Sequence, residues 1–180
     1  MTALHALCAA IAAHEPGLFE LIYGRLVYRG ESKDGMDAQP IVILPAVEKI
    51  GERAFQECTN LVAIVFPDSL ETIGSLAFYR CTNLVAVELP ASLETIGIWA
   101  FADCTNLEAV DLPASLKIID DGAFSDCTSL VAVEIPTSLQ TIGDWAFENY
   151  TSLVAAEFPN RPKIFYTLAF DTHVKIHFVK

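Results

Sequence analysis

The sequence predicts a solenoid, in which short repeats stack along one axis and share a continuous core. An Ala-Phe pair returns every 23 residues, from Ala54-Phe55 to Ala169-Phe170. Apolar residues recur at fixed places between these pairs, and the chain as a whole is 53% hydrophobic. A fixed short period is typical of a solenoid, because a single repeat cannot bury its own apolar face and its neighbours must cover it.

Each repeat begins with a predicted strand. The pattern is Leu-x-x-Val-x-Leu-Pro, as in the stretch from Leu84 to Pro90. The two leucines and the valine are predicted to face inward, and the x positions to face outward. Proline cannot donate a backbone hydrogen bond, so it ends the strand. Identical strands stacked in register form a parallel sheet with about 4.8 Å between neighbours.

The second half of each repeat is predicted to return on the other side of the solenoid. Ser-Leu-Glu-Thr-Ile-Gly favours a short extended stretch, with Leu93 and Ile96 at repeated apolar places. The glycines at Gly74, Gly97 and Gly143 are predicted to permit a turn. The following Ala-Phe-x-x-Cys is interpreted as one helical turn whose Ala, Phe and Cys side chains face inward.

These patterns resemble the BspA-like leucine-rich repeats, whose units carry LPxSLxxIGxxAFxxCxxL at the same period. The resemblance runs from about Ile41 to Phe170. It implies a curved leucine-rich-repeat solenoid, a right-handed β/α coil that serves binding and has no cofactor and no catalytic residue. The first unit lacks one residue after Pro45, and the last replaces Ser-Leu by Arg161-Pro162, so looser packing is expected at both ends.

The chain is predicted to divide into a cap and a solenoid. Residues 1–40 are interpreted as a small helical N-terminal cap, with one helix near Leu4–Ile11, a second from Pro16 to Gly24, and a strand at Arg25–Tyr28. The alternative is that this segment is a docking helix for a partner. Residues 41–180 are predicted to form about six 23-residue units. Residues 174–180 are predicted to form the last strand, whose edge is either blunted by its charges or covered by another chain in an end-to-end contact.

Charge and composition exclude several classes of function. The net charge is −12, and residues 41–160 hold 17 acidic and 4 basic side chains. An acidic body repels phosphate, so nucleic acid is not an expected partner. No stretch approaches the ~20 apolar residues of a membrane span. Thr2 to Ala13 lacks a basic n-region, so the expected location is the cytoplasm or another reducing compartment, or the cell surface if a signal was removed.

No residue pattern predicts chemistry. Cys58, Cys81, Cys104 and Cys127 share one repeat position, which favours small buried thiols over a soft-metal ladder or a redox switch. His173 and His177 are only a weak pair of possible metal ligands. There is no Gly-rich phosphate loop and no nucleophile elbow. We therefore expect no enzyme activity, no metal and no cofactor.

The outward positions of the predicted sheet form the candidate site. The place before the second strand leucine is occupied by Val65, Glu88, Asp111, Glu134 and Glu157. The flanking column includes Val85, Glu108 and Val131, with alanines between the two. Such a flat acidic strip suits an extended or helical basic segment of another protein. The alternative is that solvent and salt screen the acids and the charge serves solubility.

Two tryptophans mark a second candidate surface. Trp99 and Trp145 occupy one repeat position, where they would act as interface anchors if exposed, or else pack over the neighbouring repeat. The sequence therefore predicts a protein-binding module. One alternative is a structural or linker subunit that makes contact through the solenoid ends and the Trp side, and another is a cell-surface adhesin.

Overall fold

Two short strands and one tight turn segment make up a typical coil of the solenoid. The computed structural model describes residues 19–22, 25–28, 41–43, 45–131, 133–149, 155–158, 164–165, 168–170 and 174–178. The strands are β1 (Phe19–Ile22), β2 (Arg25–Tyr28), β3 (Ile41–Val42), β4 (Lys49–Ile50), β5 (Ala63–Val65), β6 (Thr72–Ile73), β7 (Ala86–Glu88), β8 (Thr95–Ile96), β9 (Ala109–Asp111), β10 (Ile118–Ile119), β11 (Thr141–Ile142), β12 (Ala155–Phe158), β13 (Ile164–Phe165) and β14 (Lys175–Phe178).

One side of the solenoid is an eight-stranded sheet with the order β1-β2-β4-β6-β8-β10-β11-β13. From β2 onward its strands are parallel, and equivalent residues of successive repeats are direct partners, as Ile73 is of Ile96. Both of these isoleucines are fully buried. The predicted extended stretch after each proline is therefore confirmed.

The other side carries a four-stranded parallel sheet of order β3-β5-β7-β9 and a separate pair, β12 and β14. In the four-stranded sheet, Ala63, Ala86 and Ala109 lie in register. Residues 133–135 of the next coil are outside any strand, so among the described residues this sheet stops at β9. The strand predicted within residues 174–180 is confirmed as β14.

Stacked phenylalanines fill the middle of the solenoid. The rings of Phe55, Phe78 and Phe101 lie parallel at 5.0 Å between centroids. The series continues through Phe124, Phe147 and Phe170 at separations of 5.3, 5.5 and 5.0 Å. Offset stacking at these distances is a favourable arrangement for aromatic rings. The predicted translational repeat of side chains is thus confirmed in the core.

Thiols pack beside the phenylalanines, as predicted for inward cysteines. Cys81 Sγ donates to the carbonyl oxygen of Phe55 at 3.1 Å, and Cys104 Sγ donates to that of Phe78 at 3.2 Å. Cys58, Cys81, Cys104 and Cys127 are all buried, and none of them forms a disulfide with another described cysteine. Because the Cys81, Cys104 and Cys127 thiols each donate to the preceding coil, the cysteine column adds hydrogen bonds between coils.

The predicted helical turn at Ala-Phe-x-x-Cys is wrong. Backbone φ is +58° at Leu76, +53° at Trp99 and +57° at Trp145, and it is positive again four residues later, as at Arg80. Such residues cannot continue a right-handed helix. Local hydrogen bonds from residue i to residue i−3, such as Ala77 N–H to the Gly74 carbonyl at 3.3 Å, alternate with hydrogen bonds to the next coil. The segment is therefore a series of tight turns.

Alternate amides of this turn segment join the coils. Phe55 N–H donates to the carbonyl of Ala77 at 2.7 Å, and Phe78 N–H donates to the carbonyl of Ala100 at 2.7 Å. Ala77 C=O and Phe78 N–H belong to one peptide group, so the bonds form a continuous column along the solenoid. Two further columns start at Arg53 and Glu57.

The glycines have a different purpose from the one predicted. The structure shows positive φ at Gly122, whereas Gly97 has no such conformation. A Cβ at Gly97 would lie 2.8 Å from the Ser75 amide nitrogen, in the backbone of the preceding coil. Glycine at this place therefore allows two coils to approach closely, with Gly97 N–H donating to the Ile73 carbonyl at 2.9 Å.

The helical cap is also wrong in the part that is described. Phe19–Ile22, predicted as helix, is strand β1 and pairs antiparallel with β2. The strand predicted at Arg25–Tyr28 is confirmed, and it pairs in parallel with β4. This hairpin extends the eight-stranded sheet and covers its edge with main-chain hydrogen bonds. The helix predicted near Leu4–Ile11 lies outside the described residues.

Candidate functional site

The outward face of the four-stranded sheet holds the first part of the predicted row. Val65, Glu88 and Asp111 are direct partners on β5, β7 and β9. All three are exposed, because each alternates along its strand with a buried residue. The structure therefore brings these residues together as predicted.

The rest of the row departs from a simple ladder. Glu134 is exposed on the next coil but lies outside any strand. Glu157 is on β12, where its Cα is the partner of His177 on β14. His177 is exposed and continues the row with a titratable imidazole, a neighbour that the sequence interpretation missed. We use the term acidic strip for Glu88, Glu108, Asp111 and Glu134.

The column that flanks Glu88, Asp111 and Glu134 is mostly apolar, with Glu108 as an acidic member. Val85 and Val131 are exposed, Val131 by 62%, and Glu108 lies between them in coil order. Glu108 N–H donates to the Val85 carbonyl at 2.9 Å, so the coils remain in register here. The small side chains of Ala86 and Ala109 beside this column are exposed as well. The surface thus combines carboxylates with accessible apolar area.

Among the residues that the structure describes, no basic side chain forms an ion pair with the acidic strip. Within the described part of the chain, ion pairs join Arg80 to Asp103 at 3.3 Å and Lys117 to Glu94, both away from the strip. Neighbouring parallel strands lie about 4.8 Å apart, and two like charges at about 4 Å repel by about 1 kcal/mol in water. The partners Glu88 and Asp111 therefore repel one another, and a cation bound to both would relieve that repulsion.

The two tryptophans lie on the turn side, and each is 44% exposed. Trp99 also packs over the next coil, since a Cβ added at Gly122 would lie only 2.6 Å from the indole Cδ1 and Nε1 atoms. Gly122 occupies the repeat position of the tryptophans in the coil between them. The Trp99 indole thus covers its neighbour and also remains accessible, and its role as an interface anchor stays a prediction.

A groove of about 250 Å³ lies on this turn side between Trp99 and Trp145. We call it the tryptophan groove. Its lining residues are Tyr79, Trp99, Ala102, Asp103, Gly122, Ser125, Asp126, Trp145 and Glu148. The sequence interpretation did not find the acids or Gly122. The signal that could have revealed them is the break in the repeat at Gly122, which has no side chain in a column whose other residues are Arg53, Leu76, Trp99, Trp145 and Leu168.

Burial keeps the Cys81 and Cys104 thiols protonated. Burial raises the pKa of Cys81 well above the usual thiol range, and burial likewise raises that of Cys104, where the neighbouring Cys127 adds to the effect. A protonated, inaccessible thiol is a poor nucleophile and metal ligand. Among the described residues, no group of three or more His, Cys, Asp and Glu side chains is placed to hold a metal ion.

Comparison with known proteins identifies the repeat. The family described as the BspA type leucine rich repeat region matches residues 46–177 in six copies. A leucine rich repeat protein of Treponema pallidum is 31% identical, with a TM-score of 0.71 over 78% of this chain and 68% of that protein. A leucine-rich repeat protein from Bacteroides ovatus is 29% identical, with a TM-score of 0.64 over 79% of this chain and 42% of the other.

A third similar structure is a leucine rich cell surface protein from Faecalibacterium prausnitzii, 28% identical, with a TM-score of 0.64 over 81% of this chain and 44% of that one. The chain thus spans less than half the length of the last two proteins. No curated protein matches. The described residues contain no helix with the length and hydrophobicity needed to span a membrane.

Leucine-rich repeat proteins of this type are generally non-catalytic, act as protein-interaction modules and are often surface proteins. These comparisons give no support to the expected reducing compartment. With the profile match covering well over half of the chain, and the stacked coils agreeing with the solved structures, the chain belongs to the BspA-type leucine-rich repeat family.

Proposed function

We propose that this chain is a non-catalytic protein-binding module whose acidic strip binds a basic segment of a partner protein. The observation that supports this most strongly is the alignment of Glu88 and Asp111 on neighbouring strands. Both side chains are exposed, and within the described residues neither has an ion-pair partner. A lysine or arginine placed across them would satisfy both carboxylates at once.

Apolar area beside the acids supports a polypeptide partner. Val65 is 51% exposed and Val131 is 62% exposed, at either end of the strip. A polypeptide that carries apolar and basic side chains would cover the valines and neutralise the acids. Exposed side chains on successive strands suit an extended polypeptide, whereas a small molecule needs a concave pocket that surrounds it.

The rigidity of the sheet favours such binding. Strands β5, β7 and β9 are held in register by the coils beneath them, and Val87 and Val110 anchor them in the core. A surface that does not need to become ordered loses less conformational entropy on association. The position of the carboxylates is therefore set before the partner arrives.

The proposal is tested with the triple variant Glu88→Lys/Asp111→Lys/Glu134→Lys and a fluorescent octalysine peptide, by fluorescence anisotropy. Exposed ion pairs contribute about 0.2–1 kcal/mol each, so loss and reversal of these charges is expected to weaken binding at least about tenfold at low salt. Binding of the unmodified chain is expected to weaken as salt rises, because exposed charges are screened.

The matched control changes the same number of exposed acids elsewhere. Glu52, Asp68 and Glu71 are exposed and lie off the strip. If the control Glu52→Lys/Asp68→Lys/Glu71→Lys weakens octalysine binding as much as the strip variant does, net charge alone explains the binding and the proposed site is wrong.

A cell-surface adhesin is a second candidate, favoured by the similarity to the Faecalibacterium prausnitzii cell surface protein. Surface labelling of intact native cells with an impermeant reagent would locate the protein. The third candidate, a structural or linker subunit, predicts contacts through residues 174–178 and the tryptophan side. In that case the strip variant would assemble normally and the octalysine experiment would show no site preference.

A further inference from the structure

The tryptophan groove lies where the repeat is broken at Gly122. Trp99 and Trp145 lie two coils apart, and Gly122 in the coil between them contributes no side chain. Trp99 leans over Gly122, while Trp145 lines the groove from the following coils. Two exposed indoles therefore border one cleft on an otherwise repetitive turn side.

The groove is negatively charged as well as aromatic. Asp103, Asp126 and Glu148 line it, and its lining contains no lysine or arginine. Asp126 is held in place, because Ser125 Oγ donates to Oδ2 at 2.9 Å and Asn149 Nδ2 donates to Oδ1 at 2.8 Å. The groove therefore combines aromatic rings with a fixed carboxylate, which is the composition that attracts an organic cation.

The chain itself seats a cation in a similar environment at the edge of this groove. The Arg80 guanidinium carbon lies 5.1 Å from the centroid of the Tyr79 ring, and Arg80 Nε contacts Asp103 Oδ2 at 3.3 Å. The Tyr79 ring in turn lies 6.2 Å from that of Trp99. This surface thus already holds one arginine between an aromatic ring and a carboxylate.

The size of the groove limits the ligand to about one side chain. Pockets for drug-sized molecules measure about 300–1,000 Å³, and this groove of about 250 Å³ is smaller. We propose that the tryptophan groove binds an arginine side chain of a partner polypeptide, with the guanidinium stacked on an indole and neutralised by the groove's carboxylates. Arginine is favoured over lysine because its planar group both stacks on aromatic faces and pairs with carboxylates. This site is separate from the acidic strip and does not depend on the function proposed for it.

Intrinsic fluorescence reports on this site directly. The chain contains two tryptophans, and both line the groove. Titration with the peptide acetyl-Gly-Arg-Gly-amide is expected to change the tryptophan emission to saturation, with a dissociation constant of about 1 mM or lower. The same peptide with citrulline in place of arginine, which keeps the shape and loses the charge, is expected to bind at least about fivefold more weakly, since one cation–π contact corresponds to roughly a 2- to 30-fold change.

Two variants place the binding in the groove. Trp145→Leu keeps an apolar side chain and leaves Trp99 as the reporter, and it is expected to weaken arginine-peptide binding about threefold or more. Asp126→Asn keeps both tryptophans and removes one negative charge, so it should weaken binding in the same direction. Circular dichroism checks that both variants retain the fold.

The strip variant Glu88→Lys/Asp111→Lys/Glu134→Lys distinguishes the two proposals, because it should leave the emission change intact. Equal binding of the arginine and citrulline peptides would overturn the groove proposal. So would the absence of any emission change, or a response that is lost in the strip variant and retained in Trp145→Leu.

Discussion

Replacement of Phe101 by alanine tests the packing model of the solenoid. Phe101 is fully buried, and its ring stacks on Phe78 at 5.0 Å and on Phe124 at 5.3 Å. Truncation of a buried phenylalanine costs about 3–5 kcal/mol through lost transfer energy and the cavity left behind. Two stacked contacts, each contributing about 0.5–1.5 kcal/mol, are lost at once. We therefore expect a loss of about 4–5 kcal/mol, in the upper part of that range.

The assay is urea denaturation followed by tryptophan fluorescence and by far-ultraviolet circular dichroism. Fluorescence reports on the coils around Trp99 and Trp145, and dichroism reports on the whole solenoid. The matched control is Val131→Ala, which is 62% exposed and is expected to change the free energy of unfolding by less than about 0.5 kcal/mol. If Phe101→Ala lowers the free energy of unfolding by less than about 2 kcal/mol, the stacked rings are not the main stabilising contacts between the coils.

Four further perturbations follow from contacts between coils. Gly97→Ala would place a Cβ 2.8 Å from a backbone nitrogen of the preceding coil, so we expect a lower melting temperature in thermal denaturation. An unchanged melting temperature would show that the two coils do not require glycine in order to approach. Gly122→Ala would strain a residue at φ +60° and push against the Trp99 ring, so a shifted emission maximum is expected together with lower stability. Ser115 Oγ donates to the carbonyl of Leu93 at 2.6 Å, and Ser115→Ala is expected to cost about 1 kcal/mol in urea denaturation, whereas a neutral effect would mean that water replaces the bond. Burial raises the pKa of Cys81 and Cys104. At alkaline pH the folded chain therefore keeps these two thiol protons, whereas the unfolded chain loses them. Stability should therefore fall by about 1.4 kcal/mol per pH unit and thiol above about pH 8.5, and the Cys81→Ala/Cys104→Ala variant should show a shallower fall between about pH 8 and about pH 10.

The sequence was sufficient to predict which side chains share a column. Phe78 and Phe101 stack, Cys81 and Cys104 face inward, and Ile73 lies in register with its equivalents, because a fixed period forces equivalent side chains into equivalent environments. The alternation of buried and exposed residues in β7 also followed from the strand pattern. These features depend only on the period and on hydrophobicity.

Backbone conformation in the turn segment could not be predicted in the same way. The Ala-Phe-x-x-Cys spacing also suits a helix, and the positive-φ positions carry Leu76, Trp99 and Arg80, none of which favours that conformation. The conformation is imposed by hydrogen bonds to the next coil, which are tertiary contacts. Glycine was misinterpreted for a related reason, since its role at Gly97 is space between coils and no local turn requires it.

The candidate site was predicted in part. Glu88 and Asp111 were placed correctly on one face because strand register follows the repeat. The partnership of Glu157 with His177 was missed because it depends on which strands pair after the four-stranded sheet ends. The groove beside Trp145 was missed because it arises where Gly122 departs from the repeat. The prediction was based on residues that recur, and Gly122 is an exception to them.

The columns of hydrogen bonds along the turn segment give this side of the solenoid a net dipole parallel to the solenoid axis. In the column through Phe55, Phe78 and Phe101, every N–H points toward the C-terminal coils and every carbonyl toward the N-terminal ones. Aligned peptide dipoles add, as they do in an α-helix, so this side carries partial negative charge at its N-terminal end and partial positive charge at the other. Units with nearly the same sequence are therefore not interchangeable, because each experiences a different potential according to its place along the axis.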